Sequence, residues 1–120
     1  MATTIPAPRL YYNINLVKKL GKWIAGTDGW QACTVPPGIP AIPPGVYFTQ
    51  AKKDVATKLF KHEFYHWGRG CKMGGGLYML TLAYQYRVYG YKKAPDEVAA
   101  NEYAKSPLTP VEQGWVDASK

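Results

Sequence analysis

The sequence predicts an α+β fold in a single domain spanning residues 1–120, with short N-terminal strands followed by about three helices. Three observations carry this expectation. Before residue 49, short β-branched and aromatic runs are cut by proline and glycine; after it, apolar residues recur at helical spacing. The chain has 120 residues with a hydrophobic fraction of 47%, enough for one buried core and too little for an elaborate two-domain enzyme.

The elements follow in order. "RLYYNINLVKKLGKWIAG" mixes alternating and helical spacing and predicts a strand or a short helix, closed by turn residues Gly26, Asp28 and Gly29. "WQACTV" predicts a strand ended by Pro36 and Pro37. "PPGIPAIPPG" holds five of the ten prolines, and proline cannot donate to a sheet ladder, so a loop or a proline-blunted edge is expected. "GVYFT" predicts a short strand. With Thr49 as N-cap, Val55, Leu59, His62 and His66 recur on one face of a helix over residues 50–67, ended by Gly68 and Gly70. "LYMLTLAYQYRVYG" predicts an apolar, tyrosine-rich helix that needs the preceding helix as its partner and stops at Gly90. "APDEVAANEYAKS" opens with Pro95 and two acids, the composition of a helix N-terminus. Residues 106–120 are expected to form an irregular C-terminal tail.

Composition narrows the function classes. No basic segment followed by an apolar run opens the chain, so no signal peptide is expected, and no apolar stretch is long enough to cross a membrane. Cys33 and Cys71 form neither a CxxC pair nor a disulfide framework and are expected to be reduced thiols. The net charge of +7, from 15 basic against 8 acidic residues, favours anionic partners in general. The basic groups are scattered and fit no nucleic-acid-binding motif, so a nucleic-acid partner is not expected.

The informative stretch is "FKHEFYHWGRG". Residues four apart on a helix lie one above the other, so His62 and His66 can present two imidazole nitrogens to one zinc ion, at about 2.0–2.1 Å. Glu63 is turned by about 100° from the first histidine and stands beside the metal, where it can take a proton from water. A catalytic zinc has three protein ligands and an open position. No third histidine exists, so a carboxylate is required. Glu97, in the first turn of the third helix, is preferred over Glu102 and Asp96, and Asn101 falls on its face one turn later, placed to hydrogen-bond a ligand imidazole.

"HEFYH", an apolar helix interrupted by glycine, and "GYKKAPDEVAANEYA" together resemble the small gluzincin-type HExxH zinc metallopeptidases found in bacterial and phage genomes. The resemblance covers residues 45–104 and is most specific at His62, Glu63, His66, Glu97 and Ala100, the last two within a G-Y-x-x-x-P-x-E-x-x-A block. It implies a minimal zincin-like domain with HExxH on its first long helix. Gluzincins often carry an acid one turn after the third ligand; Asn101 stands there. The resemblance also implies that "GVYFT" is an edge strand that pairs with extended substrate, the alternative being that "VYFT" is simply buried core, and that a tyrosine stabilises the oxyanion. Tyr65, Tyr84, Tyr86, Tyr89, Tyr91 and Tyr103 are all open candidates for that role.

The function expected is a zinc-dependent hydrolase (a protease) acting on a peptide, a protein or a cell-wall peptide. Zn2+ would be its cofactor, held by His62, His66 and Glu97, and Glu63 would be the general base. The chain would be cytoplasmic or virion-associated. The alternative is a phage virion structural or assembly protein that keeps the fold, with or without metal, and binds other virion proteins.

Overall fold

A computed structural model of the chain describes residues 5–15, 17–19 and 31–119. A small mixed sheet is built from β1 (Leu10–Tyr11), β2 (Ala32–Val35) and β3 (Gly45–Phe48), and the chain after it is helical. The α+β class is as expected. The expected turn at Gly26, Asp28 and Gly29 lies outside the described residues.

Strand order is β1-β3-β2. β1 runs parallel to β3, with Leu10 opposite Val46, and β2 runs antiparallel to it, with Thr34 opposite Val46. This corrects the edge-strand reading of "GVYFT" and agrees with the buried-core alternative: β3 is the central strand. Val46 and Phe48 are fully buried, and a strand with two such side chains gains most when flanked on both sides. The prolines expected to guard its edge form the connection between β2 and β3, and the sheet's edges are β1 and β2.

After a 3-10 turn at Lys52–Asp54 come α1 (Thr57–Met73), α2 (Gly75–Tyr89), α3 (Pro95–Tyr103) and α4 (Pro110–Ala118). Both ends of α1 differ from expectation. Thr49 is no N-cap; its backbone N–H and hydroxyl both donate to the Gln31 carbonyl and tie the end of β3 to the start of β2. Extended Ala56 precedes the helix instead. At the other end α1 runs through Gly68 and Gly70 and stops at Gly74, whose φ of 96° suits glycine.

Gly70 is present for proximity, not termination. A Cβ there would stand 2.5 Å from the Cβ and Cγ of Pro36, at the end of β2. Alanine is the better helix former by about 1 kcal/mol, yet Gly70→Ala should destabilise the protein by about 1–3 kcal/mol through overpacking. The urea midpoint checks this. A midpoint that rises would show that helix propensity wins over the contact with Pro36.

α1 lies at the centre, packed against β2 and β3 on one side and against α2 and α3 on the other. Val46, Phe48, Val55, Phe60 and Phe64 form the core between sheet and helix. α2 is apolar all round, and the neighbours cover only one face of it. Tyr78 and Leu82 are buried, whereas Leu77, Leu80, Tyr84 and Val88 are exposed, so the expected partnership with α1 satisfies part of the helix. No helix among the described residues is long and apolar enough to cross a membrane.

Residues 106–120 were expected to be irregular, but α4 occupies most of them. "TPVE" is a capping box: Thr109 accepts from the Glu112 backbone N–H at 3.2 Å, and Glu112 accepts from the Thr109 backbone N–H at 2.9 Å. Trp115 then packs edge-on against Phe64, with ring centroids 5.1 Å apart.

Candidate metal centre

The i,i+4 spacing on α1 sets the rings of His62 and His66 with centroids 5.0 Å apart. Pro95 opens α3, whose first turn carries Asp96 and Glu97. α3 packs on α1, so Glu97 faces both imidazoles. Its Oε1 is 3.1 Å from His62 Nε2 and its Oε2 is 2.8 Å from His66 Nε2. One ligand atom from each of His62, His66 and Glu97 falls within 4.8 Å of the others, a group that could hold a metal ion.

The outer nitrogens of both rings are also engaged. His62 Nδ1 is 2.8 Å from Asn101 Oδ1, the contact expected from the helical spacing of Glu97 and Asn101. His66 Nδ1 is 2.7 Å from the Tyr78 hydroxyl, a partner the sequence reading missed. With both Nδ1 atoms facing an oxygen, both Nε2 lone pairs can be turned to one point. A buried two-imidazole, one-carboxylate donor set with oriented rings suits zinc.

Glu63 leaves the histidine face and lies buried against the sheet. The Thr34 hydroxyl stands 2.9 Å from its Oε1 and 3.1 Å from its backbone carbonyl, and it can donate to either. Glu63 Oε2 is 3.8 Å from His62 Nε2. Burial pushes the Glu63 carboxyl above its ordinary value, although the two histidines and Thr34 oppose the shift. For Glu97 burial acts in the same direction, but hydrogen bonds from His62 and His66 outweigh it and hold the carboxyl well below the usual range. Burial disfavours the His62 cation; the bond to Glu97 and the charges of Glu63 and Glu97 prevail and raise its pKa.

A cavity of about 40 Å³ is bounded by these groups together with Cys33, Leu82, Tyr86 and Tyr91. A cleft of about 550 Å³ shares Ala32, His62, Glu63 and Tyr91 with it. β2 therefore borders the site. The Cys33 thiol is pushed up to about 12 by burial and by the charges of Glu63 and Glu97, so it stays protonated at neutral pH.

The six tyrosine candidates separate. Tyr86 donates to Glu97 Oε2 at 3.0 Å, and Tyr91 lines the same cavity as that carboxylate. Tyr84 and Tyr89 are exposed on α2. Tyr65 and Tyr103 pair with each other, at 5.8 Å between centroids, and Tyr103 bonds Glu112. Of the rival carboxylates, Glu102 is exposed and paired with Lys105 at 2.6 Å. Asp96 is buried but stands outside the ligand group. Thr34 was missed although a polar residue in the apolar run "ACTV" is a cue; Tyr78 has none, because an aromatic in an apolar helix resembles core.

Comparison with known proteins finds no family model, no curated protein and no solved structure that matches the chain.

Proposed function

We propose that the chain is a zinc-dependent hydrolase of peptide or amide bonds, built as a minimal zincin-like domain. The observation that carries the reading is the convergence of His62 Nε2, His66 Nε2 and the Glu97 carboxylate within 4.8 Å, with Glu63 buried beside them. A zinc ion held by these residues would acidify a water molecule and polarise a carbonyl group. Glu63 accepts the water proton and passes it to the leaving amine; burial raises its carboxyl above the ordinary value, in the direction that favours holding a proton. Tyr86 and Tyr91 are the hydroxyls near enough to face a developing oxyanion. The edge available to an extended peptide is β2, which pairs with β3 alone among the described residues and borders the cleft through Ala32. Backbone pairing there would lay the chain across His62 and Glu63.

The test is elemental analysis joined to an assay. One zinc per chain and hydrolysis of a peptide library, lost with a chelator and restored by zinc, are expected. Glu97→Ala should abolish stoichiometric binding and Glu102→Ala should leave it intact; the reverse pattern would assign the wrong carboxylate. A virion structural or assembly role is the second reading. It draws support from the exposed Leu77, Leu80, Tyr84 and Val88 face of α2, and it predicts no hydrolysis of any substrate.

A further inference from the structure

The cavity bounded by His62, His66 and Glu97 measures about 40 Å³, room for about three water molecules at roughly 10–15 Å³ each. It can hold an ion and a water to be activated, but no side chain of a substrate. Room for a side chain lies next to it, in the cleft of about 550 Å³ that shares Ala32, His62 and Glu63 with the cavity. The walls of this cleft are apolar and mostly short: Ala32 from β2, Ala56 just before α1, Leu59 on α1 and Ala104 just after α3.

Two cations complete the lining, Lys58 and Lys105. Lys58 is exposed and makes no hydrogen bond or ion pair among the described residues. The first turn of α1 holds no acid that could neutralise it. Lys105 meets Glu102 at 2.6 Å with both side chains 68% exposed. A pair so open to water contributes at most about 1 kcal/mol, so a substrate group competes for this lysine readily. The lining acid, Glu63, is buried and turned to Thr34 and His62. Lysines are common on a chain with 15 basic residues; what sets these two apart is their place beside the groups that would cut a substrate.

We propose that this cleft receives the substrate side chain next to the cleaved bond and selects an acidic one, aspartate or glutamate, with Lys58 as the specificity-determining residue and Lys105 as its lesser partner. The inference rests on the hydrolase reading and names the substrate class: peptides with an acid beside the cleaved bond. A peptide paired along β2 turns alternate side chains to opposite faces, so the selection is confined to one position. Because both lysines stand in water, the bound carboxylate keeps much of its hydration and the selectivity is modest.

End-blocked peptides, identical except for Glu, Gln or Lys at a single site that is scanned along the sequence, test it with the zinc-loaded full chain. The wild type should cleave the Glu peptide with a kcat/KM about 2- to 5-fold above that of the Gln peptide, the range of an exposed ion pair, at one position beside the cleaved bond. The preference should fade in about 1 M salt. Lys58→Glu should invert the order, with Gln above Glu and Lys above both. Lys58→Gln, which removes a charge without adding one, should bring the Glu and Gln peptides close to equal and carries the comparison if Lys58→Glu fails to fold. Binding of the same peptides to the Glu63→Gln chain gives a readout without turnover, in which Glu should again exceed Gln by about 2- to 5-fold. Peptides with a free C-terminus separate the two sources of a carboxylate: a preference that needs the free terminus and ignores the side chain overturns the subsite. Hydrolysis by the wild type without a preference for Glu, equal binding of Glu and Gln, or a preference that Lys58→Glu leaves in place overturns the subsite alone. A wild type that cleaves no peptide overturns the subsite and the hydrolase reading together.

Discussion

Glu63→Gln should lower peptide hydrolysis about 10²- to 10⁴-fold, the contribution of a positioned acid or base, while zinc content stays at one per chain. Glutamine keeps the size of the side chain and can still accept from Thr34 through its amide oxygen, so the contact at 2.9 Å survives. What disappears is the capacity to take a proton. Because Glu63 is turned away from the face shared by His62 and His66 and is absent from the ligand group, the substitution separates proton transfer from metal retention. Steady-state hydrolysis and metal analysis on the same preparation decide the matter. Loss of zinc in this variant would make Glu63 a ligand or a prop, and unchanged hydrolysis would remove it from the mechanism.

Glu112→Gln should destabilise the fold by about 3–5 kcal/mol, the cost of leaving a buried charge without its partner. Lys61 and Glu112 meet at 2.6 Å with side chains 2% and 6% exposed. Glu112 is fully used: Lys61 and the Thr109 N–H donate to Oε1, and the Tyr103 hydroxyl donates to Oε2 at 2.6 Å. The Lys61 ammonium also lies 3.9 Å from the centre of the Tyr103 ring. Removing the acid strands the lysine. The double variant Glu112→Gln, Lys61→Met should recover most of the loss, since no buried charge then remains. The sign of the pH dependence follows from the shifts. Burial raises the Glu112 carboxyl, but Lys61, Thr109 and Tyr103 outweigh it and depress the value, so this stabilisation is present above the ordinary carboxylate pKa of about 4.3 and is lost as pH falls through the folded value. Burial lowers Lys61, but Glu112 and Tyr103 outweigh it and raise the value, so its share is present below about 10.4 and is lost as pH rises through the folded value. Urea unfolding at neutral and at acid pH should therefore show the gap between wild type and variant shrinking in acid; a constant gap would refute the pairing as its cause.

The parts of the site that sequence exposed are the local ones. His62 and His66 are four apart on one helix, and Glu97 and Asn101 repeat that spacing on another, so each pair is fixed by helix geometry before any tertiary contact forms. The position of β3 between β1 and β2 was not legible, because strand order depends on pairings across the chain that alternation does not encode. Gly70 misled for a related reason. Glycine late in a helical pattern suggests a stop, and only the approach of Pro36 reveals that it serves packing. α4 was legible and passed over: Thr109, Pro110 and Glu112 hold the start signature of a helix. Tyr78 lay beyond reach, since a tyrosine in an apolar helix has an ordinary explanation that only the Tyr78–His66 contact displaces.

Thr34 gives the site a mechanical property. One hydroxyl from an edge strand lies against the side chain of Glu63 and the carbonyl of the same residue, so strand and carboxylate are joined at one residue. A peptide that docks along β2 would thus load the part that holds the proton acceptor. The tolerance for productive chemistry is about 0.5 Å, which a strand shifting by a fraction of its pleat would exceed. On the proposed function, registration of the substrate and alignment of the acceptor would be set by the same joint, and a poorly seated chain would meet a misaligned carboxylate.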